Sequence, residues 1–221
     1  VRRYQTLYAS YYDLGIMHQT VYNTYKGIQN RDFSRILEVT DVASIDQIKR
    51  MAIHNDILLA LFAPFYFIYQ GPETLLILQV IIVALGALAV YLISRFVVRS
   101  QILSLIFSFA YLMYVPLQRT TLFDFHAVTV ATTLLLFMTY FAVKRRYRIS
   151  FIFFILALLT KENVALTTAF FGAFFIFNGL KKSYKPTLYF GSLMSVISIF
   201  WFIESIWIII PFFRHSSHFA I

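Results

Sequence analysis

Residues 74 to 94 read TLLILQVIIVALGALAVYLIS, a stretch without one charged side chain. At about 1.5 Å per residue a helix of that length covers about 31 Å, the thickness of a bilayer's hydrocarbon core. The stretch therefore reads as a membrane span, and its neighbours repeat the pattern at 102 to 118, 127 to 143, 164 to 180 and 187 to 210. Two further apolar runs are too short to cross unaided. Residues 57 to 70, ILLALFAPFYFIYQ, contain Pro64 and have the length of a re-entrant or interfacial segment. Residues 149 to 160, ISFIFFILALLT, reach only about 18 Å as a straight helix.

Composition agrees with the local reading. Of 221 residues 60% are hydrophobic, 19% aromatic and only 13% charged, far from the mixture of a soluble domain. The expected fold is an all-α, polytopic bundle of transmembrane helices. The net charge of +9 does not imply nucleic acid, because the Lys and Arg residues punctuate apolar spans instead of forming one basic face. Without cysteine the chain has neither disulfides nor thiolate ligands. It starts in VRRYQ without Met and stops at HFAI, so it reads as part of a longer protein, and no signal peptide with a cleavage site is visible.

Loop charge orients the spans. Arg95 and Arg99 follow the first; Lys144, Arg145, Arg146 and Arg148 follow the third; Lys181, Lys182 and Lys185 precede the last. Basic residues collect on the cytoplasmic side, so all three clusters are expected inside a multi-pass protein of the cell membrane. Residues 1 to 73 then form an outer loop, and 74 to 210 the transmembrane helices. If 57 to 70 crossed in full, Asp13 and Asp124 would lie on opposite faces. If 149 to 180 were one long tilted helix, the clusters at 144 to 148 and 181 to 185 would be separated.

The outer loop is too long for a passive connection. Leu14, Met17, Val21 and Tyr25 recur at helical spacing; Asp41 or Ser44 precedes a second helical pattern, in which Gln47 completes a capping box and Ile45, Ile48 and Met51 share a face. Both helices are expected to lie on the bilayer as a lid.

Three polar islands interrupt the apolar sequence: Asp13 in YYDLGIMHQ, Asp124 with His126 in LFDFHAV, and Lys161 with Glu162 in LLTKENVA. Ionisable groups near bilayer depth cost about 3 kcal/mol on insertion scales, and each is a functional candidate for that reason. Each also has a structural alternative. Asp13 can cap a helix starting near Leu14, and Asp124 one starting near His126. His54 and His126 can be hydrogen-bonded interfacial residues, and Asp124 with His126 supplies only two metal ligands. Lys161 and Glu162 can snorkel, and on a helix they point about 100° apart and do not pair with each other. Glu204, between Trp201 and Trp207, is a buried contact or an anchor.

The order YYDLGIMHQTVYNT, HNDILLALFAPFY, FDFHAVTVATTLLL and LALLTKENVAL resembles an uncharacterised family of archaeal and bacterial membrane proteins related to the GT-C glycosyltransferases, such as the protein O-mannosyltransferases. The resemblance covers nearly the whole chain. It implies transfer of a sugar from a polyprenyl-phosphate donor to a glycan or protein acceptor at the outer face of the membrane. Asp13 matches the essential acidic residue of the first outer loop, Asp124 that of the next, and Lys161 a Lys-containing turn. His54 falls where relatives carry His or Lys before two prolines; here Asn55 and Asp56 follow.

The chemistry asks for a base on the acceptor and cations on the departing phosphate. Asp13 is the candidate base, with Asp124 orienting the acceptor or acting through a divalent metal; Lys161 and Arg119 are candidates for the phosphate. Glu162, His54 and His126 complete the candidate substrate-binding set. A transporter or lipid flippase also places charges at broken helices and is the alternative reading; a non-catalytic scaffold is a third.

Overall fold

The computed structural model describes residues 5–6, 12–41 and 46–214. Its elements are α1 (Tyr12–Asn30), a hairpin of β1 (Glu38–Thr40) and β2 (Gln47–Lys49), an apolar 3₁₀ segment (Ile57–Phe67), and then α2 (Glu73–Val97), α3 (Gln101–Met113), α4 (Val115–Phe123), α5 (Ala127–Val143), α6 (Tyr147–Leu158), α7 (Val164–Lys181) and α8 (Lys185–Glu204). A π-helical turn (Ser205–Ile209) joins α8 to a short α9 (Ile210–Arg214).

Among the described residues three stretches are long and apolar enough to cross a membrane: Glu73–Val97, Val164–Lys181 and Lys185–Arg214. The expected span at 102 to 118 is instead a broken pair, α3 and α4, bent by 45°. Pro116 explains the bend. It has no N–H for the Leu112 carbonyl and its ring would clash there; the chain turns extended at Tyr114, and the Gln118 side-chain amide donates to the Leu112 oxygen at 2.8 Å. The expected span at 127 to 143 forms as α5, which at 17 residues is at the lower limit of spanning length.

Three tight hairpins, α2–α3, α5–α6 and α7–α8, build the bundle. Their turns place Arg99, Arg145 and Ser183 at φ of 60°, 60° and 50°. In the last two, six-residue bonds (Arg146 N–H to Phe141 O, Tyr184 N–H to Gly179 O) close the helix end as a Schellman motif does. The α7–α8 pair approaches closely at Gly172 and Gly191, where a Cβ on Gly191 would stand 2.6 Å from the Ile176 nitrogen and 2.7 Å from the Gly172 oxygen. Small residues at such crossings let two backbones pack where no hydrophobic effect drives them together. Ile102, Phe109, Phe170 and Val196 stand exposed on the outside of the helices, the surface that lipid covers.

The segment before α2 is not purely helical. α1 forms as its spacing predicts, burying Leu14, Met17, Val21 and Tyr25. The second expected helix is absent: Gln47, Ile48 and Lys49 pair antiparallel with Thr40, Val39 and Glu38, while Ser44 and Ile45 lie outside the described residues. The reason is tertiary. Polar side chains of α1 satisfy the strand's free edge, with Gln19 bonded to the Thr40 N–H and hydroxyl, Asn23 to the Glu38 carbonyl and Thr24 to the Leu37 N–H. Val39 is thereby buried completely. The 3₁₀ segment, 11 residues rising about 2 Å each, covers about 22 Å and falls short of the hydrocarbon core.

Candidate functional site

The three polar islands meet. One cavity of about 150 Å³ is lined by Asp13 from the first turn of α1, by His126 from the turn before α5, and by Lys161 from the α6–α7 break. His54, Arg50, Asp56 and Thr160 complete its polar wall. Asp13 Oδ2 lies 3.4 Å from His126 Nε2. Asp13 sits inside its helix, so it does not cap a helix starting at Leu14.

The α6–α7 break is held by the outer segment. Leu58 N–H donates to the Leu159 carbonyl at 2.8 Å, the Asn55 N–H to Glu162 Oε2 at 3.0 Å, and His54 Nδ1 lies 3.0 Å from Glu162 Oε1. Glu162 is buried and does not snorkel. Burial pushes its carboxyl up, but the bonds from His54 and the backbone outweigh that and hold it below the ordinary glutamate value. With Nδ1 engaged by Glu162, Nε2 is the His54 ring nitrogen left to other partners. Lys161, next in sequence, turns to the cavity and has no carboxylate within ion-pair distance among the described residues.

Two groups on the wall escape a reading of the sequence. Arg50 and Asp56 form a buried pair, with Arg50 Nε 3.0 Å and Nη2 3.0 Å from Asp56 Oδ2. Burial raises the Asp56 carboxyl and Arg50 opposes the shift. In sequence both belong to a charge-balanced loop, and only their spacing of six residues hints at a pair. Asn55 ties the last helix to this segment, donating to Ser205 Oγ at 2.8 Å. That serine opens the π turn preceding Pro211, where the missing N–H of proline makes a helical irregularity inexpensive.

His126 is set by a residue deep in the first span. Gln79, fully buried on α2, donates to the carbonyls of Thr121 at 3.1 Å and Asp124 at 3.0 Å, and accepts from the His126 N–H at 2.9 Å. One side chain thus satisfies two backbone groups of the FDFH turn and a third, at Thr121, in the last turn of α4. The sequence signal was a single glutamine in an apolar run. Asp124 ends α4 and does not cap α5, whose N-cap is His126. Its side chain is fully buried and is not on the wall of the cavity. Arg119 lines a neighbouring, mostly apolar cavity of about 430 Å³ with Phe123 and Thr129, and the two cavities share His126 and Val128. Among the described residues no three His, Asp or Glu side chains group as metal ligands.

The three basic clusters lie together as well. Lys144 lines one cavity with Arg95 and Arg99 and a second with Arg145 and Lys182. Residues 149 to 180 are accordingly two helices broken at 159 to 163, not one.

A bundle with apolar outer faces and spanning helices defines a helical membrane protein. The chain belongs to the family described as predicted membrane protein (DUF2079), which matches residues 3–220. No curated protein and no solved structure matches it.

Proposed function

We propose that the chain carries the site of a membrane glycosyltransferase that takes a sugar from a polyprenyl-phosphate donor and passes it to an acceptor hydroxyl at the outer face. The observation behind this reading is the convergence of Asp13, His54, His126 and Lys161 on one cavity from four separate parts of the chain. Asp13 takes the acceptor proton as the acceptor oxygen bonds to the anomeric carbon. The bond from that carbon to phosphate breaks, and the leaving phosphate keeps the electron pair. His126 beside Asp13 orients the carboxylate and receives the proton from it. Lys161 meets the phosphate charge; Arg50, neutralised by Asp56, shapes the wall.

The size of the cavities favours an amphiphile. About 150 Å³ is less than an ordinary small-molecule pocket, whereas the adjoining apolar cavity brings the pair into that range. A polar head beside Lys161 and a lipid tail past Val128, with Arg119 at its border, use both. Asp124 contributes by holding the turn that presents His126. A lipid flippase is the second reading, favoured by the two helix breaks at Tyr114 and at 159 to 163.

Transfer assays with lipid-linked sugars separate the readings. Asp13→Asn is expected to cut turnover about a hundredfold while the protein stays folded, the scale of a lost general base. Lys161→Met is expected to weaken donor binding by about 1.5 to 3 kcal/mol, the scale of a hydrogen bond to a charged group, and to leave free sugar unaffected. Normal transfer by Asp13→Asn removes the base. Donor movement across liposomes without transfer favours the flippase.

A further inference from the structure

We infer that the end of the bundle opposite Asp13 and Lys161 binds the head group of an anionic phospholipid. Two cavities of about 400 and 530 Å³ adjoin there through Phe96 and Lys144. Arg95 and Arg99 line the first, Arg145 and Lys182 the second, and Lys144 both. From Glu73 onward the only acidic residues are Glu73, Asp124, Glu162 and Glu204, none of which lines either cavity, so these cations face no carboxylate there. Two are held in place by rings, with Lys144 Nζ 4.4 Å from the Phe96 centroid and the Arg145 guanidinium 4.3 Å from that of Tyr184. The larger cavity also has an apolar side made by Ala142, Val143, Phe175 and Phe174, which is exposed, with Asn178 and Thr187 as further polar lining. Cations at the helix ends above an apolar wall match a phosphate joined to acyl chains, and basic pockets between membrane helices take such head groups. Positive-inside topology alone asks for the charges but not for two cavities lined by them.

The test uses the full chain in neutral detergent, titrated with dioleoyl phosphatidylglycerol or dioleoyl phosphatidylcholine and read as lipid-bound fraction by native mass spectrometry. Phosphatidylglycerol is expected to bind at least tenfold more tightly. Each of Lys144→Gln, Arg145→Gln and Lys182→Gln should weaken it about fivefold, and Lys26→Gln on α1 should not. If the Lys144 and Arg145 variants do not fold, exposed Lys182→Gln alone carries the comparison. Equal binding of the two lipids, or full retention of phosphatidylglycerol by the variants, overturns the inference. Displacement by inorganic phosphate at matched concentration also overturns it, in favour of a small-anion site.

Discussion

Replacing Gln79 by Leu conserves volume and suits an apolar span, so hydropathy alone predicts a neutral or stabilising change. The structure predicts the opposite. The substitution removes two donated bonds, to Thr121 O and Asp124 O, and one accepted bond, from the His126 N–H. Side-chain hydrogen bonds between membrane helices average about 0.6 kcal/mol, and hydrogen bonds in proteins generally reach about 1.5 kcal/mol. Three of them set a loss of about 2 to 4.5 kcal/mol, from which the gain of a buried apolar Leu subtracts about 1 kcal/mol. Gln79→Glu keeps the acceptor for His126 but sets carboxylate oxygen against two carbonyls, and is expected to be worse than Leu. The assay is reversible unfolding of the purified protein in mixed micelles with increasing denaturing detergent. Because the FDFH turn carries His126, the proposed transferase function adds that the Leu variant should lose donor turnover more than its remaining folded fraction explains. A Gln79→Leu protein within 0.5 kcal/mol of wild type would refute the three-bond account.

Other expectations follow from the same contacts. Glu162 has its carboxyl lowered in the folded state, so its contribution is present above the unfolded glutamate value and is lost as pH falls through the folded one. Glu162→Gln should therefore be less stable at pH 7 and show a flatter melting temperature between about pH 5 and 3 than wild type. Gly191→Ala places a Cβ against backbone atoms of α7 and should cost about 1 to 3 kcal/mol in the same unfolding assay. Gly15→Ala in α1 meets nothing within 4 Å and should be neutral or stabilising by up to about 1 kcal/mol, which makes it the control for helix propensity.

Hydropathy and loop charge were enough for the apolar helices at 73 to 97, 127 to 143, 164 to 181 and 185 onward, for the break at 159 to 163, and for the gathering of the basic clusters at one end. These are properties of contiguous segments: lipid selects each span by its own length and polarity, and a Lys or Arg beside it needs only water. The helical spacing of Leu14, Met17, Val21 and Tyr25 was legible for the same reason. What the sequence did not disclose depends on partners far along the chain. Residues 47 to 49 carry a helix-start pattern, yet become a strand because α1 supplies bonds to β1, and the bend at Tyr114 is settled by which group replaces the bond Pro116 cannot make. Asp13, His126 and Lys161 could each be singled out as costly residues. That they share a wall was decided by Gln79 gripping the turn 47 residues away and by Glu162 reaching His54 across 108. Neither bond leaves a local pattern, because a hydrogen bond between distant elements places no requirement on the residues between them.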